Sequence, residues 1–210
     1  KSSTNTTPRE SREGQDGGKG NFRIELELFA DVGLIGLPNA GKTSLLNALT
    51  NADAKVGDYA FTTLDPNLGD FYGYIIADIP GLIEGASEGK GLGVKFLRHI
   101  KRTKMLAHLV SFESLIAPKA LSGKMIARYK EVRKELAKYD KNLGLGKDGL
   151  SSKKEIIILT KVDVVTDQKV IAKKLKEFSK ISKQVFTISL FDDKSVKKLQ
   201  DGLAKILKKA

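Results

Sequence analysis

The chain is 210 residues long, with 40% hydrophobic and 30% charged residues, a balance that suits one globular domain with a full core. It has no cysteine, which excludes a disulfide framework and thiolate metal sites and fits a reducing cytoplasm. Its formal net charge of +12 favours a polyanionic partner such as RNA or an anionic membrane, set against the plainer reading of a lysine-rich solvated surface.

No apolar run reaches bilayer-spanning length, and the N-terminus carries no apolar signal segment. The first residue is Lys1 rather than Met, so a fragment or processed product of a longer chain is expected. Residues 1–20 are polar and turn glycine-rich from Gly14 to Gly20, which reads as a linker or the tail of another domain. Phe22 to Leu28 alternates apolar and charged residues and predicts a strand with one wet face; Ala30 to Gly36 follows as a buried strand. A glycine-rich turn then opens a helix from Lys42 to Thr50, and residues 52–66 are turn-like.

Tyr74 to Ala77 predicts a strand that ends in Asp78-Ile79-Pro80-Gly81, and the glycine-rich stretch Gly81 to Gly93 leads into a basic helix around Val94 to Lys104. Met105 to Phe112 is an apolar strand, Ala120 to Tyr139 a long amphipathic helix, and Asn142 to Ser152 a glycine-containing loop. Strand Glu155 to Leu159, helix 167–180, strand Val185 to Ser189 and helix Ser195 to Lys208 complete the series. Strands alternating with helices predict an α/β fold with a mostly parallel sheet flanked by helices, and ligands of such folds sit beyond the carboxyl ends of the strands.

Four motifs follow predicted strands. Gly36-Leu37-Pro38-Asn39-Ala40-Gly41-Lys42-Thr43 matches G-x-x-x-x-G-K-[ST] between a buried strand and a helix, the P-loop context. Its glycines let backbone N–H groups wrap phosphate oxygens, with Ser44 continuing the cradle into the helix. Lys42 is assigned to the β- and γ-phosphates and Thr43 to Mg²⁺. Asp78-Ile79-Pro80-Gly81 fits D-x-x-G, with Asp78 holding Mg²⁺ and the Gly81 N–H meeting the γ-phosphate.

Between them lie Thr62 and Thr63, either of which could supply the hydroxyl that a nucleotide-sensing segment needs; spacing alone leaves a ligand-free threonine pair equally open. Thr160-Lys161-Val162-Asp163 fits [NT]-K-x-D: the Asp163 carboxylate can accept from both the N1–H and the exocyclic amine of guanine, which adenine cannot offer. That choice disfavours an ATPase. Ser189 is a weaker candidate for supporting the guanine carbonyl through backbone N–H groups. The two histidines, His99 and His108, are read as helix-surface or core residues.

At these residues the sequence resembles the Obg family of ribosome-associated GTPases. The likeness runs through Ala30 to Gly36, through Phe61-Thr62-Thr63-Leu64-Asp65-Pro66-Asn67-Leu68-Gly69, and most specifically through Ala77 to Gly93 and Phe96-Leu97-Arg98-His99-Ile100. The resemblance implies a P-loop G domain over residues 21–210, preceded in residues 1–20 by the end of a glycine-rich domain. It implies a monomeric cytoplasmic switch that binds GTP and GDP with Mg²⁺ and acts on the large ribosomal subunit or its RNA. By resemblance Thr63 is the switch ligand of Mg²⁺, Lys42, Thr63 and Gly81 are catalytic, and Phe61, Thr62, Leu64, Asp65, Leu190 and Phe191 line the nucleotide.

Four departures from the family pattern stand out: Ala60 for Pro, Ser111 for Asp, Thr160 for Asn, and Ser189-Leu190 for Ser-Ala. Leu82 follows Gly81 where many GTPases place a glutamine that orients water, so hydrolysis is expected to be slow. Asn39 resembles the asparagine that binds K⁺ in GTPases with an apolar residue there, with a turn-shaping role as the alternative. A nucleotide-sensing module with negligible turnover is the rival to an enzyme.

Overall fold

The computed structural model describes residues 14, 17–21, 30–50, 67–79, 103–116 and 125–209. Six strands form one sheet: β1 (Val32–Gly36), β2 (Leu68–Phe71), β3 (Tyr74–Asp78), β4 (Met105–Ser111), β5 (Lys154–Thr160) and β6 (Val185–Thr187). Their order is β2-β3-β1-β4-β5-β6, parallel except for β2, which pairs antiparallel with β3. Helices α1 (Lys42–Leu49), α2 (Met125–Asn142), α3 (Gln168–Ser179) and α4 (Asp193–Leu207) cover its faces.

The central strands read as continuous apolar runs because both their faces are covered. β1 is buried at all five positions, and Ile156 to Thr160 of β5 are buried as well. On one face Leu45, Leu46 and Leu49 of α1 and Leu199, Leu203 and Leu207 of α4 pack against Val32, Leu34 and Ile156. On the other, Val132 and Leu136 of α2 meet Ile35, Ile79 and Leu106, while Phe178 of α3 joins Ile157 and Leu159. The buried residues of α2 recur as Tyr129, Val132, Leu136 and Tyr139, the one-face spacing of an amphipathic helix. Asp167 and Asp192 start α3 and α4 by accepting N–H groups of their first turns.

Several sequence expectations need correction. The sequence pattern does not predict strand β2. It exists because Tyr72 and Gly73, with φ of 52° and 83°, make the two-residue turn of a hairpin that pairs Phe71 with Tyr74. A tyrosine in a left-handed turn position carries no turn signal. The sequence predicts Lys104 at the end of a basic helix, yet it stands beside the start of β4, where its amine pairs with Asp31 at 2.9 Å. Helix α2 runs three residues beyond Tyr139, because the buried Asp140 continues it and accepts the N–H groups of Leu150 and Ser151 at 2.9 and 2.7 Å. The loop after it contains two short 3₁₀ turns, Gly146–Asp148 and Leu150–Ser152. The strand expected at Phe22 to Leu28 and most of the helix expected at Val94 to Lys104 lie outside the described residues. Among the described residues, no helix is long and apolar enough to cross a membrane.

Candidate nucleotide-binding site

The carboxyl ends of β1, β3, β4 and β5 converge on the loop between β1 and α1. Gly36 has φ of 151°, and a Cβ there would stand 2.6 Å from the Leu109 carbonyl oxygen, so the turn out of β1 tolerates no side chain. Gly41 caps α1 with φ of 89° and offers no side-chain acceptor, and the first turn of the helix has no acidic residue. The N–H groups at this helix start are therefore available to an anion and aligned with the positive end of the helix dipole. The Lys42 ammonium lies over the loop and donates to the carbonyls of Gly36 and Leu37 at 3.1 and 3.3 Å. Burial pushes its pKa down, and the Asp78 carboxylate opposes that shift.

Thr43 and Asp78 meet across 35 positions of sequence: the threonine hydroxyl donates to Asp78 Oδ2 at 2.5 Å. Asp78 is 4% exposed, and its other oxygen, Oδ1, is buried without a hydrogen-bond partner. A buried carboxylate oxygen left bare is costly unless a ligand completes it. A hydroxyl and a carboxylate side by side are hard oxygen donors of the kind Mg²⁺ takes, so this pair fits that ion.

The base-motif residues are bound into the same corner. The Thr160 hydroxyl donates to the Ala40 carbonyl at 2.8 Å, tying the end of β5 to the P-loop. Lys161 has φ of 55° and starts a 3₁₀ turn, Val162–Val164, that leaves Asp163 exposed. The Val162 N–H donates to Ile188 at 3.3 Å and so joins this turn to the loop after β6. There the Ser189 N–H donates to Ser195 Oγ at 3.1 Å, and the Phe191 N–H donates to Ser189 Oγ at 3.2 Å. Leu190 is partly exposed, and Phe191 stands 91% exposed at the rim.

Glu113 lies in the same corner. Its Oε2 accepts from Lys161 Nζ at 2.5 Å and from Asn39 Nδ2 at 3.1 Å. No motif contains it, and no sequence pattern would have drawn attention to it. Phe61, Thr62, Thr63, Leu64, Asp65, Pro80 and Gly81 lie outside the described residues, whereas Gly36 to Ser44, Asp78, Ile79, Thr160 to Asp163 and Ser189 to Phe191 are within them.

A family model described as 50S ribosome-binding GTPase matches residues 31–161. GTPase Obg of Rickettsia prowazekii (strain Madrid E) is 44% identical over 213 residues, covering 99% of this chain and 60% of that protein. GTPase Obg of Desulfatibacillum aliphaticivorans is 48% identical over 168 residues, covering 78% of this chain and 46% of that protein. The chain belongs to the Obg family of GTPases. It spans 60% or less of the length of these two Obg relatives. The crystal structure of the cytosolic domain of the T. maritima FeoB iron transporter in a GDP form superposes with a TM-score of 0.54 and 22% identity. That match covers 87% of this chain and 65% of that one, and it shows the shared G-domain fold.

Two departures from the Obg pattern now have a physical reason. Thr160 replaces the commoner Asn and still supplies a donor to the P-loop carbonyl of Ala40. Ser111 replaces an Asp at the last position of β4, and its Oγ accepts the Glu113 N–H at 3.1 Å, the N-cap role that any short polar acceptor fills. The structure offers no account of Leu190 in place of Ala.

Proposed function

We propose that this chain binds GTP and GDP with Mg²⁺, hydrolyses GTP slowly, and acts as a switch between the two nucleotide states. The observation that carries the reading is the Thr43–Asp78 pair, with its unpartnered buried oxygen, beside an uncapped helix start that follows a P-loop. In this reading residues 36–44 wrap the phosphates with backbone N–H groups, and Lys42 turns its ammonium from the loop carbonyls to the β- and γ-phosphates. Thr43 and Asp78 hold the metal, joined by Thr63 on the family pattern. Mg²⁺ supplies neutralisation of the charge on the phosphate oxygens.

Asp163 accepts the two guanine donors, and Lys161 covers the base. Among the Ser189, Leu190 and Phe191 N–H groups, the first and last are committed within their own loop, so support of the guanine carbonyl falls to Leu190. Gly81 contacts the γ-phosphate. Leu82 cannot orient water, so turnover on the unassisted chain is slow. Because Glu113 takes the Asn39 N–H, the amide oxygen of Asn39 is the atom free to meet a K⁺ ion.

The family model's description and the +12 charge support the large ribosomal subunit, or its RNA, as the partner. On the same reading residues 21–210 form the nucleotide-binding domain, residues 1–20 belong to the end of a preceding glycine-rich domain, and the protein works as a cytoplasmic monomer. Single-turnover GTP hydrolysis with and without purified large subunits tests the function. A rate that rises on the subunit, and rises further when K⁺ replaces Na⁺ at constant ionic strength, is expected; absence of guanine-nucleotide binding in Mg²⁺ would overturn the assignment.

A further inference from the structure

Glu113 sits two residues beyond β4 in the 3₁₀ turn Phe112–Leu115, with its backbone held by the Ser111 cap. One carboxylate oxygen receives both the Lys161 ammonium and the Asn39 amide, so a single side chain links the base motif to the tip of the P-loop. Both donors belong to non-glycine residues in left-handed backbone, Asn39 at φ 61° and Lys161 at φ 55°. Such conformations persist where surrounding contacts enforce them, and they gather at ligand sites. A carboxylate beside a phosphate cradle also opposes an anionic ligand by its charge. Its presence here calls for a compensating role.

We propose that Glu113 is a positioning residue that clasps the base-recognition loop to the P-loop tip and holds Lys161 extended across the base end of the slot. This rests on the reading of Lys161 and Asp163 as guanine contacts. A lysine side chain samples many rotamers, and fixing one when the ligand arrives weakens binding. The clasp orders Lys161 beforehand, leaving its methylene stem as an apolar face for the purine while its charge stays paired. The same carboxylate orients the Asn39 amide, because only the nitrogen end of that group can face an acceptor. The clasp contributes little to folding: the Lys161 and Glu113 side chains are 29% and 42% exposed, and pairs this accessible add little to stability. Its effect belongs to nucleotide binding.

The test is GDP binding to the full chain in Mg²⁺, with association and dissociation rates measured by displacement of a fluorescent GDP. Glu113→Ala is expected to raise the dissociation constant roughly 3- to 10-fold, as expected for loss of a partly exposed charged pair, almost all of it through faster dissociation. The thermal midpoint of the nucleotide-free protein should not move. Glu113→Asp, one methylene shorter, should behave like the alanine variant; Glu113→Gln, which keeps an acceptor for Asn39 without the charge, should fall between. In a double-mutant cycle, Glu113→Ala with Lys161→Ala should bind no more weakly than Lys161→Ala alone. Additive losses, or Glu113 variants that bind GDP as tightly as the parent or tighter, would overturn the clasp. Should the alanine variant not fold, the cycle is run with Glu113→Gln, and the same additivity decides. If the parent itself binds no GDP in Mg²⁺, the guanine-site reading fails, and the clasp with it.

Discussion

Two carboxylates placed over the same sheet have opposite surroundings. Asp78, at the carboxyl end of β3, keeps one buried oxygen unpartnered and shares the other with Thr43. Glu155, near the start of β5, has both oxygens engaged: Oε1 with His108 Nδ1 at 2.7 Å, and Oε2 with Tyr129 at 3.1 Å and Arg133 at 3.5 Å. His108 also stacks on Tyr129, with ring centroids 4.7 Å apart, and Arg133 donates to the Ser151 carbonyl at 2.7 Å. One end of the strands thus leaves hydrogen-bonding capacity for a ligand, while the other uses its polar groups to bind α2 to the sheet. A carboxylate with both oxygens engaged contributes to stability, even though His108 Nε2 and Arg133 Nη1 have no hydrogen-bond partner of their own among the described residues, and a bare buried carboxylate oxygen is a place where something else must bind.

Removing Glu155 should give the largest effect on stability. Glu155→Ala leaves His108, Tyr129 and Arg133 without their shared acceptor and is expected to destabilise the fold by about 3 kcal/mol, read by chemical denaturation. GDP affinity of the folded fraction should be unchanged; a parallel loss of affinity would break the division between the two ends. Asp163→Asn acts in the converse way. It places a donor where guanine also donates and should weaken GTP binding by about 2–3 kcal/mol with the denaturation midpoint held. The same variant should gain xanthosine triphosphate, whose base offers an acceptor there; calorimetry with both nucleotides decides. Thr43→Ala removes the partner of Asp78 and, on the proposed reading, one Mg²⁺ donor; it is expected to lower GDP affinity in Mg²⁺ by about 1–2 kcal/mol while leaving affinity in chelator almost unaltered. Equal losses in both buffers would mean Thr43 acts on the loop rather than the metal.

The smallest effect concerns pH. Burial pushes the His108 pKa below its ordinary value, and the contact with Glu155 offsets only part of that shift. The unfolded chain therefore takes up the proton first. Stability from this residue is complete above about pH 6.5, the ordinary histidine value, and is lost as pH falls from there toward the folded pKa. The slope from one group cannot exceed about 1.4 kcal/mol per pH unit. His108→Gln should flatten it, and an unchanged slope in denaturation curves between pH 5 and 7 would assign it to other groups.

The motif residues of the open end were legible as sequence because each motif is contiguous and its chemistry depends on spacing along the chain. Gly36 to Thr43 need only a strand before and a helix after, and Thr160 to Asp163 sit in a single turn. The Glu155 cluster was not legible: His108 and Glu155 are 47 positions apart, and their meeting depends on the register of β4 with β5. The sequence reads His108 as a helix-surface or core residue; the structure buries it in the core, and only the fold shows that it meets Glu155 there. Strand β2 was missed for a related reason, since Tyr72-Gly73 becomes a hairpin turn only when β3 offers an edge to pair with.

Amino-acid order by itself determined the alternation of strands and helices, the P-loop, the family and the residues expected to meet phosphate, metal and base. These are properties of short segments, set by periodicity, glycine placement and functional-group chemistry. Only the tertiary structure decided which oxygen of Asp78 lacks a partner, that Thr160 holds the P-loop from 120 positions away, and that Glu113 joins Lys161 to Asn39. Such pairings follow from how parallel strands bring their carboxyl ends to one edge, where side chains remote in sequence come within hydrogen-bonding distance and their polar groups must either find one another or wait for a ligand.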